Sequence, residues 1–229
     1  MKVNLSVVIC SYNEIKNLPV VIKNLKDTLQ SFNGIYEIII VDDGSTDGTD
    51  QYFQQLNDPL VKVIRHHVNQ GIGAALRDGY VVAVGDFITF LPADGQIRVS
   101  DVMLLLEAIG DNDVVFSYYA KRAQSYFRII TSKAVRALLF MLFGKLPRYD
   151  GTYLFKKSIY EQVKPIASSF VFNYEFLIKA NQQRLRIISI ETECLSRISG
   201  VSKVIGVRKI VFILIQIILL RIRISKSSD

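Results

Sequence analysis

The stretch FLPADGQIR, Phe90 to Arg98, closes an apolar run with a carboxylate, Asp94, and an amide, Gln96. Pro92 precedes the acid and Gly95 follows it, so the two polar side chains are set on a turn at the tip of a buried segment. A carboxylate and an amide carbonyl are oxygen ligands of the type a hard cation takes. A second cluster, VDDGSTDGT, sets Asp42 and Asp43 side by side after another apolar run. Two acids there can accept hydrogen bonds from a base and a ribose, with Tyr12 and Glu14 of SYNE completing the pocket. The plainer reading of the same residues is a turn-rich loop that caps the next helix. In NQGIGAALRDG, Gly71 and Gly73 stand where a helix begins and backbone amides can approach an anion. The spacing is not GxGxxG and follows the third apolar run, so a dinucleotide dehydrogenase is poorly supported.

These clusters need elements to carry them. Leu5–Cys10, Tyr36–Val41, Val61–Ile64, Phe87–Leu91 and Val114–Tyr118 are short, β-branched, apolar runs of strand length. Runs without polar alternation predict strands buried on both faces, as in a parallel sheet. Helical spacing occupies 18–32, 71–84 and 99–109. Strand and helix alternate, which predicts a doubly wound α/β sheet with ligands at the carboxyl ends of the strands. The polar clusters follow the first four strands and should share one rim.

The 229 residues are 50% hydrophobic, enough for one large α/β domain. Cys10 and Cys194 form no CxxC pair, so neither a zinc knuckle nor a disulfide framework is indicated, and a reducing, cytoplasmic setting fits. The amino-terminal MKVNLSVVICSYNE reads as a strand and not a signal peptide. Charge is divided sharply. Residues 1–119 hold 8 Lys+Arg against 15 Asp+Glu, residues 120–164 hold 10 against 2, and residues 197–229 hold 7 against 1. An acidic first part suits a cation, and basic later parts suit phosphates, of nucleic acid or of lipid. The basic residues accompany aliphatic clusters and no nucleic-acid motif, which favours lipid. Ile210–Leu220 is uncharged and flanked by Arg208, Lys209, Arg221 and Arg223. As a helix it spans roughly 16 Å, about half of a ~30 Å hydrocarbon core. It suits a helix lying in the headgroup region; a buried helix or a dimer contact is the plainer alternative.

Taken together and in order, SVVICSYNE, EIIIVDDGSTDGT, NQGIGAALRDGY and GDFITFLPADGQI resemble family 2 glycosyltransferases of the GT-A fold, and most of all the dolichol-phosphate mannosyltransferase-like branch, which loads a sugar onto a polyprenyl phosphate. Later, SYFRIITSKAVRALL and RISGVSK (Arg197 to Lys203) are similar to the same branch. The resemblance implies a GT-A domain over 1–203, with a nucleotide-sugar and metal half (1–119) and an acceptor half (120–203), followed by a basic amphipathic membrane-associating tail at 204–229. It implies Mg²⁺ or Mn²⁺ on Asp94 and Gln96, and a donor site formed by Cys10, Tyr12, Glu14, Asp42, Asp43, Gly71, Ala93 and Asp94. On the acceptor side it implies Arg128, Arg197 and Lys203 around phosphates, with Asp150 of YDGTYLF as an acceptor-side acid. Arg offers a planar fork to phosphate oxygens and Lys a compact charge. The implied partners are a nucleotide-sugar (GDP-mannose or a UDP-hexose), a polyprenyl phosphate and an anionic membrane surface, with no nucleic acid. The implied location is the cytoplasmic face of the membrane, with room for a homo-oligomer or a small membrane-protein partner.

Two departures stand out. Pro92 replaces the first acid of the family's Asp-x-Asp, and Cys10 replaces a common proline. Pro92 keeps a non-catalytic sugar-nucleotide-binding protein among the alternatives, beside a transferase acting on a glycan or protein. A processive polysaccharide synthase is disfavoured, because those carry Gln-x-x-Arg-Trp and this chain has no tryptophan. His66 and His67 are adjacent, so on a strand they face opposite ways and make a poor metal pair. Tyr118 and Tyr119 either stack on a sugar or pack.

Overall fold

The computed structural model describes residues 3–119, 126–195 and 207–226, with the side chains of 3–119, 131–195 and 211–225. In chain order the elements are β1 (Leu5–Ser11), α1 (Leu18–Leu29), β2 (Tyr36–Asp42), α2 (Thr49–Gln55), β3 (Val61–Arg65), α3 (Ile72–Val82), β4 (Phe87–Pro92), α4 (Asp101–Ile109), β5 (Val114–Tyr119), α5 (Tyr126–Phe143), β6 (Tyr153–Lys156), α6 (Tyr160–Val163), α7 (Val171–Gln182), β7 (Ile187–Thr192) and α8 (Val207–Lys226). The strands form one sheet in the order β3-β2-β1-β4-β6-β5-β7, in which β6 alone runs against the others.

Side-chain alternation along the strands divides the interior into two cores. Val7, Ile9, Ile38 and Ile40 face α1 and α4, meeting Leu18, Val21, Leu25, Val102 and Leu105. Val8, Cys10, Ile39, Val41, Ile88 and Phe90 face the opposite way, onto α3, α7 and α8. Each buried Leu, Ile or Phe contributes roughly 1.5–3 kcal/mol, so the sheet is held from both sides and its strand ends form a rigid rim. An aromatic group thickens the second core: Tyr153 stacks on Phe176 at 4.7 Å, and its hydroxyl donates to Asn173 Oδ1 at 3.1 Å.

One expectation changes. β3 was expected to be buried on both faces, but it is an edge strand, half-buried to exposed throughout. It has one neighbour, and its Lys62 reaches back to Glu37 at 2.7 Å. The final helix packs along one of its faces. Ile217, Leu220 and Ile224 are buried in the second core beside α5 and α7. Its other face, with Val211, Phe212, Ile215, Ile218 and Ile222, is exposed. Among the described residues no helix is long and apolar enough to cross a membrane.

Candidate active site

The first four strands run parallel, so Ser11, Asp42, Arg65 and Pro92 end together on one rim. The loops after β1 and β2 are tied by four hydrogen bonds. Asn13 N–H donates to Ser45 Oγ at 2.8 Å, Thr46 N–H to Asn13 Oδ1 at 2.7 Å, Ile15 N–H to Asp47 Oδ2 at 2.9 Å, and Asp43 N–H to the Ser11 carbonyl at 2.8 Å. Asn17 Nδ2 donates to Glu14 Oε2 at 2.6 Å, fixing that acid at the entry of α1. Tyr12 is exposed above this frame.

Asp42 and Asp43 are both buried yet have different surroundings. Asp43 is saturated: Oδ1 accepts from Gln70 N–H at 2.8 Å and lies 2.7 Å from His66 Nδ1, and Oδ2 accepts from Gly71 N–H at 2.9 Å. Asp42 Oδ1 accepts from Ser45 N–H at 3.2 Å, while its Oδ2 has only Arg65 Nε at 3.5 Å. The Ser11 hydroxyl, opposite Asp42 in the sheet register, is buried without a hydrogen-bond partner. Such orphaned polar atoms are costly unless something fills them. Ser11 and Asp42 are register partners at the strand ends, where the hydroxyl can donate or accept and the carboxylate oxygen can accept a further hydrogen bond.

The helix entry at Gly71 works differently from the anion cradle that its sequence suggests. Gly71 N–H is engaged by Asp43, and Gly73 N–H donates to the Ser168 carbonyl at 2.8 Å. Gly71 has φ +95°, and a Cβ there would lie 2.6 Å from that carbonyl. The 165–169 turn fits tightly against α3 and is held in turn by Glu175, whose Oε2 accepts from Ile166 and Ala167 N–H. Lys179 pairs with the other oxygen of Glu175 at 2.8 Å. Neither His66 nor Glu175 stood out as a site residue in the sequence. The histidine pair and the Phe-Asn-Tyr-Glu motif were visible, but their roles depend on contacts 8 to 23 residues away in the chain. His67, the neighbour of His66 just past the end of β3, is exposed.

After β4, Ala93 N–H donates to the Cys10 carbonyl at 3.0 Å, and Gln96 N–H caps Asp94 Oδ1 at 3.0 Å. Gly95 supplies the left-handed residue of this turn at φ +70°. Asp94 and Gln96 are half-buried on the rim. Among the described residues no three His, Cys, Asp or Glu side chains converge as a closed metal site. The donor set therefore fits a cation that takes part of its shell from a ligand's phosphates and from water. Cys10 brings its backbone alone: its side chain lies in the core, and burial, with the Asp43 charge as a lesser cause, raises its thiol pKa far above the usual value. It packs as a small apolar residue and does not face a donor.

On the other half of the rim, Asp150 is exposed and precedes β6, its N–H bonded to the Ser117 carbonyl at 3.1 Å. Tyr119 is buried beside Gly151, whereas Tyr118 is half-buried with the Arg148 guanidinium 3.9 Å over its ring. Arg128 belongs to the first turn of α5, and its side chain is outside the described residues, as are Arg197 and Lys203 entirely.

Comparison with known proteins agrees with this geometry. The model of the family "Glycosyl transferase family 2" matches residues 6–172. A dolichyl-phosphate beta-glucosyltransferase of Saccharomyces cerevisiae is 30% identical over 214 residues, covering 80% of this chain and 64% of the relative. A dolichol-phosphate mannosyltransferase of Pyrococcus furiosus is 30% identical over 196 residues, 79% of this chain and 54% of the relative. An undecaprenyl-phosphate 4-deoxy-4-formamido-L-arabinose transferase of Pectobacterium carotovorum is 35% identical over 146 residues, 62% and 45%. The chain thus spans about half to two thirds of the length of these relatives. Among solved structures, glucosyl-3-phosphoglycerate synthase from Mycobacterium tuberculosis, in complex with Mn²⁺, UDP and glucosyl-3-phosphoglycerate, superposes with a TM-score of 0.71 at 21% identity, covering 95% of this chain and 78% of that one. The fold is the mixed α/β GT-A architecture expected from the motifs.

Proposed function

The chain belongs to glycosyl transferase family 2, and on that footing we propose that it moves a sugar from a nucleotide-sugar, GDP-mannose or a UDP-hexose, to a membrane polyprenyl phosphate with inversion. The observation that carries the donor half is the pair of buried groups with unfilled hydrogen-bonding capacity, Ser11 Oγ and Asp42 Oδ2, on the rim next to the Asp94–Gln96 turn. The acceptor half rests on the relatives, whose names are those of polyprenyl-phosphate sugar transferases.

In this reading the nucleotide lies over Tyr12, Glu14, Asp42, the strand-end backbone of Cys10 and Ala93, and Gly71 at the entry of α3. Asp43 does not touch it; it holds the 66–71 loop in place. Asp94 and Gln96 hold Mg²⁺ or Mn²⁺, which supplies neutralising charge to the leaving diphosphate when bound. Arg128, Arg197 and Lys203 draw the acceptor phosphate to the rim, and Asp150 orients it from the β6 side. A phosphate oxygen attacks the anomeric carbon, the bond from that carbon to the diphosphate oxygen breaks, and the nucleoside diphosphate departs. A phosphate monoester is already largely anionic at neutral pH, so no general base is assigned.

The exposed apolar face of α8, continued by Phe140 and Met141 of α5 and bordered by Lys133, Arg136, Arg221 and Arg223, supports peripheral attachment to an anionic membrane from the cytoplasmic side. In this reading the helix of the 204–229 segment packs on one face and docks with the other. Transfer of radiolabelled sugar into organic-extractable lipid, dependent on added Mg²⁺ or Mn²⁺, tests the proposal; full transfer under complete chelation would overturn the metal role.

A further inference from the structure

Two segments distant in sequence meet beside the Asp94–Gln96 turn. Ile97 forms an isolated antiparallel bridge with Cys194, and Leu195 N–H donates to the Gln96 carbonyl at 3.0 Å. Arg98 pairs with Glu193 outside. Inside, Asp101 opens α4 at 1% exposure, and Thr192 closes β7 at 5%. Both are buried where α4 packs against β7, and neither Asp101 Oδ2 nor Thr192 Oγ1 has a hydrogen-bond partner. Gln96 is therefore held from both directions, its N–H on Asp94 and its carbonyl on Leu195.

We propose that residues 192–195 act as a strut of the cation site, with Asp101, Thr192 and the Leu195 N–H as positioning residues that fix the backbone of Gln96. The proposal rests on the assignment of Asp94 and Gln96 as cation ligands. A single bridge is weak by itself, and an exposed ion pair such as Arg98–Glu193 adds only about 0–1 kcal/mol. The Leu195 N–H bond to Gln96 and the burial of Asp101 and Thr192 where α4 meets β7 are then what keep the strut in register.

The test is Mn²⁺ binding to the full chain, followed by water-proton relaxation with UDP and separately with GDP, without turnover. Leu195→Pro removes one N–H, Thr192→Val one hydroxyl, and Asp101→Ala the carboxyl; Asp101→Asn keeps the shape and a polar contact. The first three should weaken Mn²⁺ by roughly 10-fold or more, the scale of outer-shell changes, and Asp101→Asn should restore wild-type binding. No Mn²⁺ binding by the wild type would remove the cation assignment itself. Wild-type binding with unchanged midpoints in the variants, whether or not their melting temperatures fall, would overturn the strut and leave the assignment standing. If Leu195→Pro does not fold, Thr192→Val decides.

Discussion

Asp43 and His66 form a buried contact, Oδ1 to Nδ1 at 2.7 Å, and the far nitrogen of the ring lies 3.0 Å from Asp78 Oδ2 on α3. The imidazole thus joins the end of β2 to α3, the helix behind the strand-end rim. His66→Ala leaves a buried carboxylate short of one partner. The loss is about 1–3 kcal/mol, or a fall of several degrees in Tm for a domain of this size. Because the 66–71 loop then loosens, donor KM rises with a smaller change in kcat. His67→Ala, on the exposed side, stays within about 0.5 kcal/mol. Equal effects for the two histidines in thermal melts would contradict this.

Asp94 is the single carboxylate left in the cation motif once Pro92 occupies the first position. Asp94→Asn should reduce transfer by at least ~100-fold, the upper range for changes one shell further out, with the melting curve close to wild type. Gln96→Ala should raise the Mn²⁺ concentration needed for half-maximal rate. Steady-state rates across a metal titration measure both.

Burial is the main cause that raises the Asp101 carboxyl to about 6, against an ordinary 3.8; Arg98 and Thr192 pull it down and Glu193 pushes it up. A raised folded-state pKa means that the folded chain holds the proton more tightly than the unfolded one. Its contribution is fully present below about 4 and is lost as pH rises through about 6. The loss is on the order of 2–3 kcal/mol. Asp101→Asn should match wild type near pH 4 and exceed it in Tm at pH 7.5. Parallel Tm–pH curves for the two proteins would rule the carboxyl out as the source.

The two faces of α8 separate stability from docking. Ile217→Ala removes a core side chain and costs about 2–5 kcal/mol. Phe212→Ser with Ile215→Ser alters residues about half exposed, so Tm holds while co-sedimentation with anionic vesicles falls at least tenfold. Unchanged vesicle binding in the double variant would place the membrane contact elsewhere.

The sheet and its rim were legible because five apolar runs of strand length alternate with helical spacing, and every one became a strand with an end within a residue of the expected place. β6 and β7 were not, since YLFK and IISIET are short and their places depend on pairing with β4 and β5. Asp42 and Asp43 looked equivalent as letters; only tertiary contacts make one a saturated brace and the other a half-open acceptor. The final helix carried an apolar run whose buried side could not be told from its exposed side until α5 and α7 were beside it.

The most direct measurement is a donor-by-acceptor screen of the purified chain with Mg²⁺ or Mn²⁺. GDP- and UDP-sugars would be offered with a polyprenyl phosphate, with 3-phosphoglycerate, or with no acceptor, following released nucleotide together with glycosylated product. The account predicts a lipid-linked sugar from one donor class, at a rate well above the acceptor-free background. Transfer to 3-phosphoglycerate alone, or nucleotide binding without lipid product for every pair, would contradict it.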